Sequence, residues 1–110
     1  MLKESDYVIV RTSVPLEQAE AVRQSMGEAG AGQQGHYIHC SSSYRTIGRF
    51  TPVAGAHPAI GEIGKKEVVE EEVIRMLCHK DKVKVVIDAL KKAHPYEEPA
   101  IDIFPRFDVE

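Results

Sequence analysis

All eight glycines of this 110-residue chain lie between Gly27 and Gly64, and from Ala29 to Gly64 the charged residues are Arg45, Arg49 and Glu62 alone. Glycine loses more backbone freedom on folding than any other residue, so it weakens the interior of a helix or strand. The glycine-rich, weakly charged middle therefore reads as turns and loop with little regular structure. The two flanks must supply most of the helices and strands, and with them the core.

The N-terminal flank opens with Tyr7–Val14, which is short and rich in β-branched residues and predicts a strand. Pro15 suits the first turn of a helix, and Leu16, Ala19, Val22, Met26 and Ala29 then recur at helical spacing until Gly30. In the middle, His36–Ser43 reads as a second strand. Thr46–Gly64, punctuated by Gly48, Pro52, Gly55, Pro58, Gly61 and Gly64, reads as a long ordered loop pinned by Phe50, Val53, Ile60 and Ile63. Val68–His79 fits a helix through Val69, Val73, Met76 and Leu77, and equally a buried strand, so the pattern leaves both open. Asp81 can cap a further helix that buries Val83, Val86, Ile87 and Leu90, and Pro95 stops it near Ala93. Ala100–Phe104 is a last short strand, ended by Pro105. With Val68–His79 as a strand the order is β-α-β-β-α-β, an α+β ferredoxin-like arrangement with two helices on one face of an antiparallel sheet.

Composition narrows the class. Hydrophobic residues make up 43% and charged residues 28%, which suits a packed core, and the length fits one domain over residues 1–110. A net charge of -3 with no basic stripe argues against a nucleic-acid partner. No apolar run approaches the about 18 residues of a membrane span, and Met1–Tyr7 has no apolar signal core. Cys40 and Cys78 make no disulfide framework. They are expected as buried, reduced thiols, near neighbours across a hairpin, in a cytoplasmic protein.

Three clusters invite chemistry. Gly30-x-Gly32-x-x-Gly35 matches a dinucleotide fingerprint as a string, but a helix precedes it and a strand follows, the reverse of the context that fingerprint needs. Its glycines read as a helix end and a tight turn. His36-x-x-His39-Cys40 has metal-binding residue types, yet on a strand residues three apart face opposite ways and cannot chelate one ion. The densest cluster is His94-Pro95-Tyr96-Glu97-Glu98-Pro99. An imidazole and carboxylates suit a divalent metal such as zinc or copper and also acid–base work. Its plain alternative is a rigid corner between two prolines, with His94 at the negative end of a helix. Glu70-Glu71-Glu72 reads as a solvated patch.

Four stretches together resemble a known family: Gly30-Ala31-Gly32 through Gly35-His36-Tyr37-Ile38-His39-Cys40, Gly48-Arg49-Phe50-Thr51-Pro52, Gly55-Ala56-His57-Pro58-Ala59-Ile60-Gly61-Glu62-Ile63-Gly64, and His94-Pro95-Tyr96-Glu97-Glu98-Pro99-Ala100. They are similar to the domain inserted in the middle of the NGG1-interacting-factor-three-like proteins, also named GTP cyclohydrolase type 2 homologues. The resemblance runs from about Tyr7 to Phe104. It implies a PII-like and CutA-like ferredoxin fold, Val68–His79 as a strand, and a homo-oligomer, a trimer by the same resemblance. The family's dinuclear metal ligands reside in flanking lobes and have no counterpart here.

The leading expectation is a non-enzymatic module that senses a small ligand or a metal. A protein-interaction adaptor for a separate enzyme is the first alternative, and a metal-dependent hydrolase, lacking its metal ligands, is the last. The expected ligand contacts are His94, Tyr96, Glu97 and Glu98 from the corner, with Phe50 and Gly55 from the loop. A divalent metal, if bound, is expected on His57, His94 and Glu97. The corner is expected beside the loop, because Phe50, Val53 and Ile60 need a surface to cover them.

Overall fold

The computed structural model describes residues 1–110 and contains a four-stranded sheet with two helices. Strand β1 (Leu2–Pro15) leads through a 3-10 turn (Leu16–Gln18) into α1 (Ala19–Glu28). Strands β2 (Ser42–Phe50) and β3 (Glu67–His79) form a hairpin around a long loop. A second 3-10 turn (Lys80–Lys82) opens α2 (Val83–Ala93), and β4 (Ile101–Val109) ends the fold. The strands lie in the order β2-β3-β1-β4 and every neighbouring pair is antiparallel. This is the β-α-β-β-α-β topology read from the chain.

Residues opposite one another in an antiparallel ladder share a face of the sheet, and successive residues alternate. Val8, Val10 and Val14 of β1 and Ile74, Met76 and Cys78 of β3 occupy one face, with Val8 opposite Cys78 and Val10 opposite Met76. Ala19, Val22 and Met26 of α1 and Val86 and Leu90 of α2 close over them to form the core. These helix positions are those expected from the 3.6-residue spacing. The opposite face carries Ile9, Arg11 and Ser13 of β1, which pair with Leu77, Arg75 and Val73 of β3. Tyr44 and Phe104 extend it onto the outer strands.

Several boundaries differ from the sequence reading, each for a local reason. Strand β2 begins at Ser42 and not at His36. Gly35 and His39 have φ of 58° and 57°, left-handed values that no extended strand accepts. The segment before β2 instead folds back: Gly32 N–H donates to Leu77 O at 2.6 Å and Cys40 N–H to Gly32 O at 3.0 Å. Cys40 thus stands outside the ladder and is half-buried, whereas Cys78 is fully buried, and both thiols are free. The irregular loop starts after Phe50, because Thr46–Phe50 pair with Glu71–Glu67. Asp81 does not cap α2. His79 instead caps the 3-10 turn that leads into it, its ring Nδ1 accepting from Asp81 N–H at 3.1 Å. Strand β4 continues through Pro105 to Val109. As an edge strand it has one side free of ladder bonds, which is where proline is tolerated.

Candidate functional site

Helix α2 ends at His94, whose φ and ψ of -74° and 135° are extended, as the following proline requires. The chain then turns through Tyr96, Glu97 and Glu98 before entering β4. Opposite this corner, the β2–β3 loop leaves Phe50 and returns to Glu67. The two walls meet: His57 N–H donates to Glu97 Oε1 at 3.0 Å, and the rings of Phe50 and Tyr96 stand edge to face with centroids 5.8 Å apart. Between them lies a cleft of about 350 Å³, at the small end of the range for ligand pockets. Its loop wall includes Phe50, Pro52, Ala59 and Ile60, its corner wall Tyr96, Glu97 and Glu98, and its floor Ser13, Gly48 and Glu71.

The floor rests on a side chain that the sequence reading placed in water. Glu71 is 5% exposed. Tyr96 donates its hydroxyl hydrogen to Glu71 Oε2 at 2.6 Å, a short charge-assisted bond. Burial, and then the bond to Glu71, push the Tyr96 phenol well above its ordinary pKa, so it stays a donor at neutral pH. Gly48 makes room for this pair: a Cβ there would stand 2.4 Å from Glu71 Oε1. Glu70 is exposed, while Glu72 is paired with Arg23 of α1. The three glutamates are therefore not one solvated patch. Alternation along β3 could have flagged Glu71, since it shares a face with Val73, but without the register nothing in the sequence names Tyr96 as its partner.

His94 is 6% exposed and stands behind the cleft rather than in it. Its Nε2 meets Ser13 O at 2.7 Å, and its Nδ1 accepts from Tyr96 N–H at 3.1 Å. A carbonyl can only accept, so Nε2 carries the hydrogen, and Nδ1 must be bare to receive the amide. The ring is held neutral in one tautomer, and burial lowers its pKa below the ordinary imidazole value. Both nitrogens are thereby engaged, and His57 meets Glu97 through its backbone amide. No group of three His, Cys, Asp or Glu side chains stands close enough to hold a metal ion. The side chains of His57, His94 and Glu97 are not gathered into such a group. Gly55 lies at an exposed turn with φ of 101° and does not line the cleft. His36 and His39 are exposed on the turn before β2.

Comparison with known proteins agrees with this architecture. No protein-family model matches the chain. The GTP cyclohydrolase 1 type 2 homolog of Bacillus subtilis is 49% identical over 92 residues, covering 84% of this chain and 25% of that protein. The corresponding Mycobacterium tuberculosis protein is 47% identical over 91 residues. The crystal structure of a Bacillus cereus protein related to NIF3 superposes with a TM-score of 0.79 at 38% identity, covering 96% of this chain and 26% of that one. The chain belongs to the family of the NIF3-related GTP cyclohydrolase 1 type 2 homologues. It spans about a quarter of the length of those relatives. The same fold stands alone in the divalent cation tolerance protein CutA of Archaeoglobus fulgidus, with a TM-score of 0.66 at 22% identity and 83% of that chain covered. The NIF3-type domain and CutA thus share a fold, and the cleft described above lies where the hairpin loop of that fold meets the end of its second helix.

Proposed function

We propose that this NIF3-type domain is a non-enzymatic regulatory module that binds a small ligand in the cleft between the β2–β3 loop and the His94–Pro99 corner. The observation that carries the reading is the Glu71–Tyr96 pair. A carboxylate buried to this degree is costly, and here it forms the floor of a preformed cleft with apolar walls. That combination is the usual build of a small-molecule site, a mostly apolar recess with few fixed polar groups. Support for a role without turnover is chemical. His94, behind the cleft, has both nitrogens committed to the backbone and cannot shuttle a proton without breaking the corner. The cytoplasm suits the two free thiols. The module works as a homo-oligomer, a trimer by the likeness of its fold, joined through the sheet face that the helices leave open. Partly exposed Tyr44 and Phe104 favour this.

A thermal-shift screen of metals, nucleotides, amino acids and amines tests the reading. A ligand at a hundred times its Kd adds about 2.7 kcal/mol to the folded state, which is visible as a rise in Tm. Ala59→Trp, which fills the cleft from its exposed loop wall, is expected to abolish that rise while leaving the unliganded Tm close to normal. A screen in which nothing stabilises the protein, or in which Ala59→Trp responds like the parent, removes the proposal.

A further inference from the structure

We infer that the ligand of this cleft is a small organic cation, a primary ammonium or guanidinium group on a short apolar stem, anchored on Glu71. The inference rests on the cleft being a ligand site and adds the chemical class. Glu71 has two oxygens in different circumstances. Oε2 accepts the Tyr96 hydroxyl. Oε1 lies against Gly48 and receives no hydrogen bond from the protein. No buried side-chain oxygen or nitrogen in the molecule is both sealed from solvent and without a partner. The free oxygen of Glu71 therefore reaches the surface, and the surface it lines is the cleft. It is an acceptor held in place with a vacant lone pair, on a residue that is otherwise buried.

The remaining walls select the charge. Glu97 and Glu98 add two carboxylates at the mouth, against the single cation Arg49. A phosphate or carboxylate entering here would meet the desolvated anion of Glu71, and low local dielectric makes that repulsion strong. An N–H-bearing cation would instead complete the hydrogen bonding of Glu71 by a charge-assisted bond. The rings of Phe50 and Tyr96 flank the same space and attract cations through their faces. Pro52, Ala59 and Ile60 offer apolar contact to a stem, and the volume of about 350 Å³, at the small end for ligand pockets, suits a small molecule.

The test uses the 110-residue chain and backbone amide NMR, with phenethylamine and agmatine as cationic probes and phosphate and phenylacetate, of matched size, as anionic ones, all at one ionic strength. The amides of Gly48, His57 and Tyr96 are expected to shift saturably with an amine and to stay still with the anions. Glu71→Gln keeps the shape and an acceptor for Tyr96 but removes the charge, and is expected to weaken amine binding at least tenfold. Equal amine affinity in Glu71→Gln overturns the inference. If that variant does not fold, the exposed pair Glu97→Gln/Glu98→Gln serves instead, with a severalfold loss expected and unchanged affinity as the overturning result. Anions that move these amides while amines do not would overturn the cationic class and leave the cleft as a ligand site. Silence from every probe in NMR, together with a flat thermal screen, would overturn both.

Discussion

A methyl group added to Gly48 would lie 2.4 Å from Glu71 Oε1, far inside contact distance. The carboxylate can yield only by loosening its bond to Tyr96. Gly48→Ala is therefore expected to cost about 1–3 kcal/mol, the range for overpacking a filled site, read as a lower urea midpoint. In a Glu71→Ala background most of that cost should vanish, a coupling above about 0.5 kcal/mol. Additive losses would show that the glycine serves the strand backbone alone. His94 gives a second expectation. Its folded pKa is depressed, so the unfolded chain takes up the proton first. Its contribution is full above the ordinary imidazole pKa of about 6.5 and is lost as pH falls below it. Urea melts should show stability dropping from pH 7.5 to 5.5, with a shallower drop in His94→Gln, whose amide can still donate to Ser13 O. Equal slopes would mean that other groups set the acid sensitivity. The sequence named His94 and Tyr96 because two prolines frame them. It could not rank them, because the roles depend on partners far away in the chain, Ser13 and Glu71.

At the scale of elements, β-branched content marks β1 and the 3.6-residue spacing marks α1 and α2, because these segments bury a face and burial imposes its period. The pattern of Val68–His79, by contrast, fits helix and strand alike, and only the family resemblance makes it β3. The misplacement of β2 has a different origin. Its burial is low throughout, so its residues carry no strong alternation, and the boundary is set by backbone conformation at Gly35 and His39. Pro105 reads as a stop to β4, whereas an edge strand can pass through it. The start of α2 offers a direct test. Asp81, an acidic residue near a helix start, looks like the cap, but its side chain is exposed and His79 takes the amide. His79 also packs edge to face on Tyr7, with centroids 5.1 Å apart. His79→Ala is expected to lower stability by about 1 kcal/mol or more, from the lost cap and the lost ring contact. Asp81→Ala should stay within about 0.5 kcal/mol of the parent. The reverse order in chemical melts would restore the aspartate as the cap.

For the whole molecule, the sheet has one face under the helices and one open. Tyr44 and Phe104 are 53% and 40% exposed on the open face, and Arg11 crosses it, stacked 4.9 Å over the Phe104 ring and bonded to Asp102. A partly apolar sheet face of this kind is usually covered. Light scattering at micromolar concentration is expected to give a mass above that of one chain, and Tyr44→Glu with Phe104→Glu is expected to reduce it to one chain with the circular dichroism unchanged. A parent protein that scatters as a single chain removes the oligomer proposal. The corner beyond α2 has a consequence of another kind. Its bonds run in series: Glu97 takes the amide of His57, the His94 ring takes that of Tyr96, and Leu90 O takes that of His94. In the time domain, the loop and the end of the helix then have one opening event and not two. Deuterium should enter these amides with a common protection factor, and a molecule that clamps the loop should slow exchange at the helix end as well. Separate rates for His57 and His94 would mean that the loop breathes alone.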